Sequence, residues 1–361
     1  MKKKKYVNSD FLSSIFAIVL GLLLGFVVLL VSNPSQAMNG ISVILTGSLT
    51  HGLGGIGQVF YFATPIICTG LSVGFAFKTG LFNIGATGQF TVGAFAAVYV
   101  GIICKSLGGV HWVVALLASA VAGALWGLVP GILKAFANVN EVISSIMMNY
   151  IGMYLVNFAV KNDASIYDKL KNQSASVAES ANIPKMGLDH LFADSNVNAG
   201  FFVAIIAVIV IHIILNKTTF GFELKAVGFN RNASKYVGIN EKRSIILSMV
   251  IAGALAGLAG GLLYLAGSGK HLEVVDVMAK EGFTGISVAL LGLLSPIGIF
   301  LASIFIAYIT QGGFYMQIYN FAPEVIDMII AVIIYFSAFS LLFKAFIQRV
   351  REGKKREGGG Q

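Results

Sequence analysis

Two clusters of polar residues interrupt a chain that is otherwise strongly apolar. The first, GLFNIGATGQ at residues 80–89, joins two apolar runs, and its glycines could permit a break or a re-entrant bend. The second, NEVISSIMMNY at residues 140–150, repeats polar side chains every fourth residue, which places them on one helix face. A polar stripe on an apolar helix faces either protein or a water-filled path. The predicted pathway residues are Asn83, Gln89, Glu141, Ser145 and Asn149.

A structural role is the alternative for Glu141. Asn140 is a preferred type of N-cap residue, and Glu141 would then lie at the positive end of the helix dipole. Glu141 is therefore interpreted either as a pathway residue or as a charge that stabilises the start of a helix.

No set of residues in the sequence resembles a catalytic or metal site. The sequence has no HExxH motif. The string GSGKH at 267–271 lacks the first glycine of a phosphate-binding loop and has His271 where Ser or Thr is required. Cys68 and Cys104 lack metal-ligand spacing and are interpreted as small buried apolar residues. We therefore expect no enzyme activity, no metal and no cofactor in this chain.

The composition is that of a polytopic membrane protein. The 361 residues are 57% hydrophobic and only 11% charged, against about 25% charged in a soluble domain. The net charge of +9 comes from Lys and Arg that lie mostly at the ends of apolar runs. The preference of these residues for the cytoplasmic side explains the excess, so a nucleic-acid partner is rejected. The basic start MKKKKYVNSD and the apolar run after it are interpreted as a retained first helix.

We predict an all-α fold with about ten transmembrane helices and both termini in the cytoplasm. This topology places 18 of the 25 Lys and Arg residues on the inner side, in keeping with the positive-inside rule. The eighth predicted span is short and enters the membrane only partway. The predicted spans are 11–31, 58–77, 85–104, 112–133, 141–160, 199–216, 245–266, 282–295, 296–314 and 324–346.

The segments around these spans are connections and tails. Residues 1–10 are predicted to form a cytoplasmic tail, residues 11–346 the transmembrane domain, and residues 347–361 a basic cytoplasmic tail. Residues 41–57 are Gly-rich and weakly apolar, so we expect a short interfacial segment outside the membrane. The extracytoplasmic loop 161–198 is either a solvated connector or a landing surface for an extracytoplasmic partner.

Residues 217–243 form a charged insert between apolar runs, with six Lys or Arg against two Glu. A segment of this charge cannot lie in lipid, and its positive sign places it in the cytoplasm. It is too short for a domain and too long for a tight turn. This combination favours a docking surface for a cytosolic partner.

Glycine recurs at every fourth position in two predicted spans. Small residues with this spacing form a groove that lets helices approach closely, so we expect packing contacts within the bundle, with a sliding or dimer surface as the alternative. The glycines are Gly123, Gly127 and Gly131 in one span and Gly253, Gly257 and Gly261 in the other.

Four strings occur in the same order as in one family of transporters. They are GLSVGFAFKTGLFNIGATGQF, NEVISSIMMNYI, AVGFNRNASKYVGI and GFTGISVALLGLLSPIG. Over residues 58–345 the chain resembles the permeases of bacterial ABC importers in the branched-chain amino acid, simple sugar and nucleoside group. Within this group it is most similar to nucleoside permeases that work with substrate-binding lipoproteins.

The resemblance implies a fold and a set of partners. The fold is a type II importer permease with ten transmembrane helices in the bacterial cell membrane. The partners are a second and often different permease, two ATP-binding subunits that use the ATP, and an extracytoplasmic lipoprotein that delivers the solute. The string AVGFNRNASKYVGI would contain the coupling helix that contacts the ATPase. The matching positions are Asn230, Arg231, Ala233, Tyr236 and Gly238.

Several functions remain as hypotheses. The first is ATP-driven import of a small polar solute, with a nucleoside ahead of a simple sugar. An ion-coupled secondary transporter is a weaker alternative, because the predicted spans contain almost no carboxylate or histidine that could form an ion site. The last hypothesis is a membrane receptor or assembly factor whose loop binds a cytosolic partner without transport.

Overall fold

The computed structural model describes residues 2–338, and most of them are helical. Met1 and residues 339–361 lie outside the described residues, and with them the end of the predicted span 324–346 and the whole predicted tail 347–361. The α-helices in chain order are α1 (Lys2–Ser32), α2 (Ala37–Thr50), α3 (Gly52–Lys78), α4 (Ala86–Ile103), α5 (His111–Ala137), α6 (Glu141–Asn162), α7 (Leu188–Leu191), α8 (Gly200–Lys217), α9 (Thr219–Phe229), α10 (Arg231–Tyr236), α11 (Glu241–Tyr264), α12 (Lys280–Leu291), α13 (Pro296–Met316) and α14 (Pro323–Ala338). One short antiparallel hairpin joins β1 (Tyr167–Asp168) to β2 (Gln173–Ser174).

The prediction of an all-α polytopic membrane protein is confirmed. Seven helical segments within residues 2–338 are long and apolar enough to cross a membrane, and these are 52–78, 86–103, 105–137, 141–162, 200–217, 241–264 and 296–319. About ten spans are not confirmed. Helix α12 has only 12 residues, so it rises about 18 Å against the roughly 30 Å of a bilayer core. This matches the expectation of a short eighth segment.

Residues 41–57 belong to helix α2 and to the first turns of α3, and α2 packs along α13. Their place at the membrane interface stays a prediction. Gly52, with φ +62°, lies at the turn between α2 and α3, whereas Gly47 lies at a contact between helices. A Cβ atom on Gly47 would lie 3.0 Å from the Tyr315 ring, and one on Gly312 would lie 2.5 Å from the Ile44 carbonyl oxygen. Close packing therefore accounts for part of the Gly-rich composition.

Residues 2–10 of the predicted tail are helical, since α1 begins at Lys2.

Helix α11 lies at the centre of the bundle, where it packs against α3, α4 and α5. The two glycine series face each other across the α5–α11 contact. A Cβ atom on Gly123 would lie 2.3 Å from the Gly253 carbonyl oxygen, and one on Gly257 would lie 2.3 Å from the Ser119 carbonyl oxygen. On the other side of α11, a Cβ atom on Gly93 of α4 would lie 2.3 Å from the Gly257 Cα atom. The expected packing role of these glycines is confirmed.

The 161–198 loop is a folded cap over the ends of α4 and α11. Its backbone is anchored at Ala178, whose N–H donates to the Gly101 carbonyl at 2.9 Å, and at Ile183, whose N–H donates to the Leu265 carbonyl at 2.8 Å. Two side chains of the loop itself, Ile166 and Ala181, are buried. The loop is therefore more than a solvated connector, although its use as a landing surface stays a prediction.

The central glycine contact leads to a stability prediction. Gly257→Ala should destabilise the folded protein by about 1–3 kcal/mol or more, because the added methyl group meets backbone atoms that cannot rotate away. The same change at Gly109, where an added Cβ meets nothing within 4 Å, should have little effect. Thermal unfolding of the purified variants in detergent compares the two. Equal melting temperatures for Gly257→Ala and Gly109→Ala would contradict the packing role.

Candidate functional site

The first polar cluster lies where α3 ends and α4 begins. Helix α3 stops at Gly80, whose φ of +74° lets the chain turn and lets Gly80 pack against the Gly228 backbone. The extended segment that follows carries Asn83 to a fully buried position. Its Nδ2 atom donates to the Gln89 Oε1 atom at 2.8 Å, and the Gln89 Nε2 atom donates back to the Asn83 Oδ1 atom at 3.2 Å. Asn83 Nδ2 also donates to the Ser72 hydroxyl at 3.0 Å. The predicted break between the two helices is present.

Asn149 joins the second polar cluster to the first. From the middle of α6 its Oδ1 atom accepts from the Gly88 backbone N–H at 2.8 Å, and its Nδ2 atom donates to the Ile84 carbonyl at 3.1 Å. Gly88 lies in the first turn of α4, and the N-cap residue Gly85 has no side chain to satisfy that turn. Asn149 therefore caps a helix from which it is distant in sequence.

Ser145 completes the group that we call the polar cluster, namely Asn83, Gln89, Ser145 and Asn149. Its side chain is fully buried, and a Cβ atom on Gly85 would lie 3.2 Å from both the Ser145 Oγ and the Asn83 Oδ1 atoms. Among the described residues the Ser145 hydroxyl has no hydrogen-bond partner, and neither has the hydroxyl of the neighbouring Thr87. An unpaired buried hydroxyl costs about 1–3 kcal/mol, so these two groups keep unused hydrogen-bonding capacity beside α4.

Glu141 lies apart from the polar cluster, in the first turn of α6. Its Oε2 atom forms an ion pair with the Lys134 Nζ atom of α5 at 2.9 Å. Asn140 is the N-cap, as expected, because its side chain accepts from the Val142 N–H at 2.9 Å. The structure thus unites four of the five predicted pathway residues and gives Glu141 an ion pair between α5 and α6. Their contact with a solute stays a prediction.

The 217–243 loop folds into α9 and α10 instead of remaining extended. Asn230 caps α10 by accepting from the Ala233 N–H at 3.0 Å. Gly238, with φ +85°, ends the helix in a Schellman motif, in which the Ile239 N–H donates to the Ser234 carbonyl at 3.1 Å. The expected helix end at Gly238 is confirmed.

Exposed apolar side chains mark the face of this loop that we call the docking surface. Tyr236 is 94% exposed and Phe229 is 96% exposed, and Val237 and Phe222 are also exposed. Ala233 is exposed on the same short helix. Large exposed apolar groups in a charged loop are typical of a protein contact. The sequence had pointed to Tyr236 but not to Phe229 or Val237, although apolar residues inside a basic segment were the available signal.

Arg231 is directed towards its own chain. Its Nε atom donates to the Glu241 Oε2 atom of α11 at 2.7 Å, and its Nη1 atom donates to the Asn138 Oδ1 atom at 3.3 Å. Asn138 ends helix α5 in a left-handed conformation. Arg231 therefore ties α10 to the ends of α5 and α11, and this was not expected from the sequence.

The cap of α4 leads to a second prediction. Asn149→Leu should destabilise the protein by about 2–4 kcal/mol, because it leaves the Gly88 N–H and the Ile84 carbonyl buried without partners. Asn162→Leu is the matched control, since Asn162 is exposed on the same helix. Chemical or thermal unfolding in detergent measures both, and a control that is as damaging as Asn149→Leu would contradict the capping role.

Comparison with known proteins agrees with this architecture. Residues 55–338 match the family described as the branched-chain amino acid transport system permease component. The chain is 39% identical to the guanosine ABC transporter permease protein NupP of Bacillus subtilis, over 95% of this chain and 97% of that protein. It is 34% identical to the nucleoside ABC transporter permease protein NupB of Lactococcus lactis, over 95% and 94% of the two chains.

A third relative has a different named solute. A glucose ABC transporter permease protein of Haloferax volcanii is 31% identical over 92% of this chain and 88% of its own length. No solved structure matches the chain. The chain matches one transport family over most of its length, and its bundle of membrane-spanning helices carries a folded loop between α8 and α11. It therefore belongs to the permease components of ABC importers in the branched-chain amino acid transport family.

Proposed function

We propose that this chain imports nucleosides across the bacterial cell membrane as the permease subunit of a complex whose ATP is hydrolysed by separate subunits. The observation that carries the proposal is the docking surface. It presents Phe229 at the end of α9 and Tyr236 at the end of the short capped helix α10 to the cytosol, and the sequence itself contains no complete phosphate-binding loop. The guanosine and nucleoside permeases among the relatives support the choice of solute. A simple sugar is the second candidate, supported by the glucose permease.

The partners follow from this assignment. Two ATP-binding subunits lie on the cytoplasmic side, one of them against the docking surface of this chain. A second permease lies beside this chain in the membrane, and a lipoprotein delivers the solute from outside. The excess of Lys and Arg at the inner ends of the predicted spans supports cytoplasmic termini. The permease itself holds no cofactor and catalyses no reaction.

Movement of the docking surface reaches the bundle through a row of charged contacts. Arg231 connects α10 to Glu241 of α11. The next residue of α11, Lys242, places its Nζ atom 4.7 Å from the centre of the Phe136 ring of α5. Farther along, Lys134 of α5 pairs with Glu141 of α6. Since α5 and α11 are locked by their glycines, closure of the ATPases tilts these helices together with α6.

Two members of the polar cluster, Ser145 and Asn149, lie on α6, the helix at the end of that row. The amides and hydroxyls of the cluster carry no fixed charge, and this suits a polar, uncharged solute. The side chains of Asn83, Gln89 and Asn149 form hydrogen bonds within the bundle. The Ser145 hydroxyl has no hydrogen-bond partner among the described residues, so it can bind a solute. We therefore place solute contact at Ser145, with the amides holding its surroundings in position and Glu141 at the cytoplasmic end of α6.

The coupling route is tested by reversing one ion pair. Arg231→Glu alone should abolish most guanosine uptake while the ATPase subunits stay bound, because the tie to α11 becomes a repulsion. Adding Glu241→Arg should restore uptake. Tyr236→Ala should instead weaken binding of the ATPase subunits. Uptake into proteoliposomes and co-purification of the complex measure the two effects, and normal uptake by Arg231→Glu refutes the route.

Solute contact is tested at two buried serines that share one property. The hydroxyls of Ser145 and of Ser48 on α2 both lack partners among the described residues. Ser145→Ala should reduce guanosine uptake about three- to tenfold with no loss of stability, since it removes one hydrogen bond to the solute. Ser48→Ala should transport normally. Unchanged uptake in Ser145→Ala would remove Ser145 from the pathway.

A further inference from the structure

A cleft opens between α4, α6, the end of α11 and the segment 269–281. None of the predicted pathway residues lines it. Its volume is about 510 Å³, which falls within the roughly 300–1,000 Å³ of pockets that hold small molecules. Segment 269–281 follows α11 and leads directly into the short helix α12. A half-length helix with irregular backbone before it is tolerated at membrane depth where it lines a cavity, and transporters build solute sites from such elements.

Two aromatic rings form one wall of the cleft. The rings of Phe90 on α4 and Tyr264 on α11 have their centroids 6.4 Å apart, with their planes tilted by 56°. The backbones of α4 and α11 are in close contact beside these rings, because a Cβ atom on Gly260 would lie 2.4 Å from the Phe90 carbonyl oxygen. Phe90 is only 1% exposed, so of the two rings the partly exposed Tyr264 provides the surface on which a flat ring can stack.

A carboxylate lies at the other side, in the first turn of α12. Glu281 lines the cleft, is half-buried and forms no ion pair with any residue from 2 to 338. Its neighbour Lys280 points to Asp327 of α14, with the Nζ and Oδ1 atoms 3.6 Å apart. The start of α12 is held against α4, where a Cβ atom on Gly282 would lie 2.4 Å from the Thr87 hydroxyl oxygen. An ionised carboxylate only accepts hydrogen bonds, so it matches a solute rich in N–H and O–H donors.

The formal charges of the Lys and Glu residues that line the cleft cancel, with Lys270 and Lys280 against Glu273 and Glu281. This balance favours a neutral solute over a phosphorylated one.

We propose that this cleft is a second solute-binding site of the permease, separate from the contact at Ser145, and that its ligand is a nucleoside. The base stacks on Tyr264, and Glu281 accepts hydrogen bonds from the solute's N–H and O–H groups. A simple sugar would fit the carboxylate but would leave the Tyr264 ring without a flat partner. This inference rests on the proposed function and names a specific place for its solute.

The test is direct binding of radiolabelled guanosine to the purified permease–ATPase complex in nanodiscs without the lipoprotein. Leaving out the lipoprotein matters, because its own affinity would otherwise hide that of the cleft. Tyr264→Leu and Glu281→Gln should each weaken binding about tenfold, whereas Tyr264→Phe keeps the ring and should bind like the parent. Tyr154→Leu is the matched control, because Tyr154 is exposed on α6 outside the cleft.

Guanosine uptake by the complete importer is measured in parallel to separate the two proposals. If the importer takes up guanosine but the complex binds none, or binds it equally well in Tyr264→Leu and Glu281→Gln, the cleft is refuted and the proposed function stands. If the importer takes up glucose but no nucleoside, the proposed solute is wrong and the nucleoside site falls with it. Uptake with ring-dependent and carboxylate-dependent binding supports both.

Discussion

The fold depends on the direct contact of helix backbones around α11. Gly253 and Gly257 face α5, and Gly257 and Gly260 face α4, at distances that leave no room for a side chain. Lipid offers no hydrophobic force that would push apolar helices together, so close van der Waals contact between backbones provides much of their attraction. The same contact makes α4, α5 and α11 one mechanical unit. The cleft, the polar cluster and the Lys134–Glu141 and Arg231–Glu241 ion pairs all involve helices of this unit.

Polar groups in the bundle serve structure and function at once. The Asn149 amide completes the hydrogen bonds of the α4 start, and the Asn83–Gln89 pair satisfies both amides in a place that excludes water. Buried polar groups of this kind are costly when unpaired, so they fix one arrangement of α3, α4 and α6. Against this background the unpaired hydroxyls of Ser145 and Thr87 differ from their neighbours.

Local patterns in the sequence predicted much of this arrangement, and long-range contacts account for what it missed. The four-residue spacing of Gly253 and Gly257 predicted close helix packing, and the family resemblance predicted a short helix that ends at Gly238. Helix α2 was missed because glycine occurs both in turns and at close contacts between helices, so a Gly-rich composition does not distinguish the two. The Arg231–Asn138 contact was missed because the two residues are 93 positions apart. The cleft was missed for the same reason, since Phe90 and Tyr264 meet only after folding.

One side of the cleft is lined by a narrow ribbon of backbone, where residues 172–174 of the 161–198 loop lie beside residues 272–274. Four hydrogen bonds join them, two between Ser174 and Leu272 and two between Asn172 and Val274. At roughly 1 kcal/mol each, peeling this ribbon apart requires about 4 kcal/mol. None of the four bonds involves an ionisable group. This ribbon should therefore be equally stable in dilute and in concentrated salt, and across the pH range in which bacteria grow.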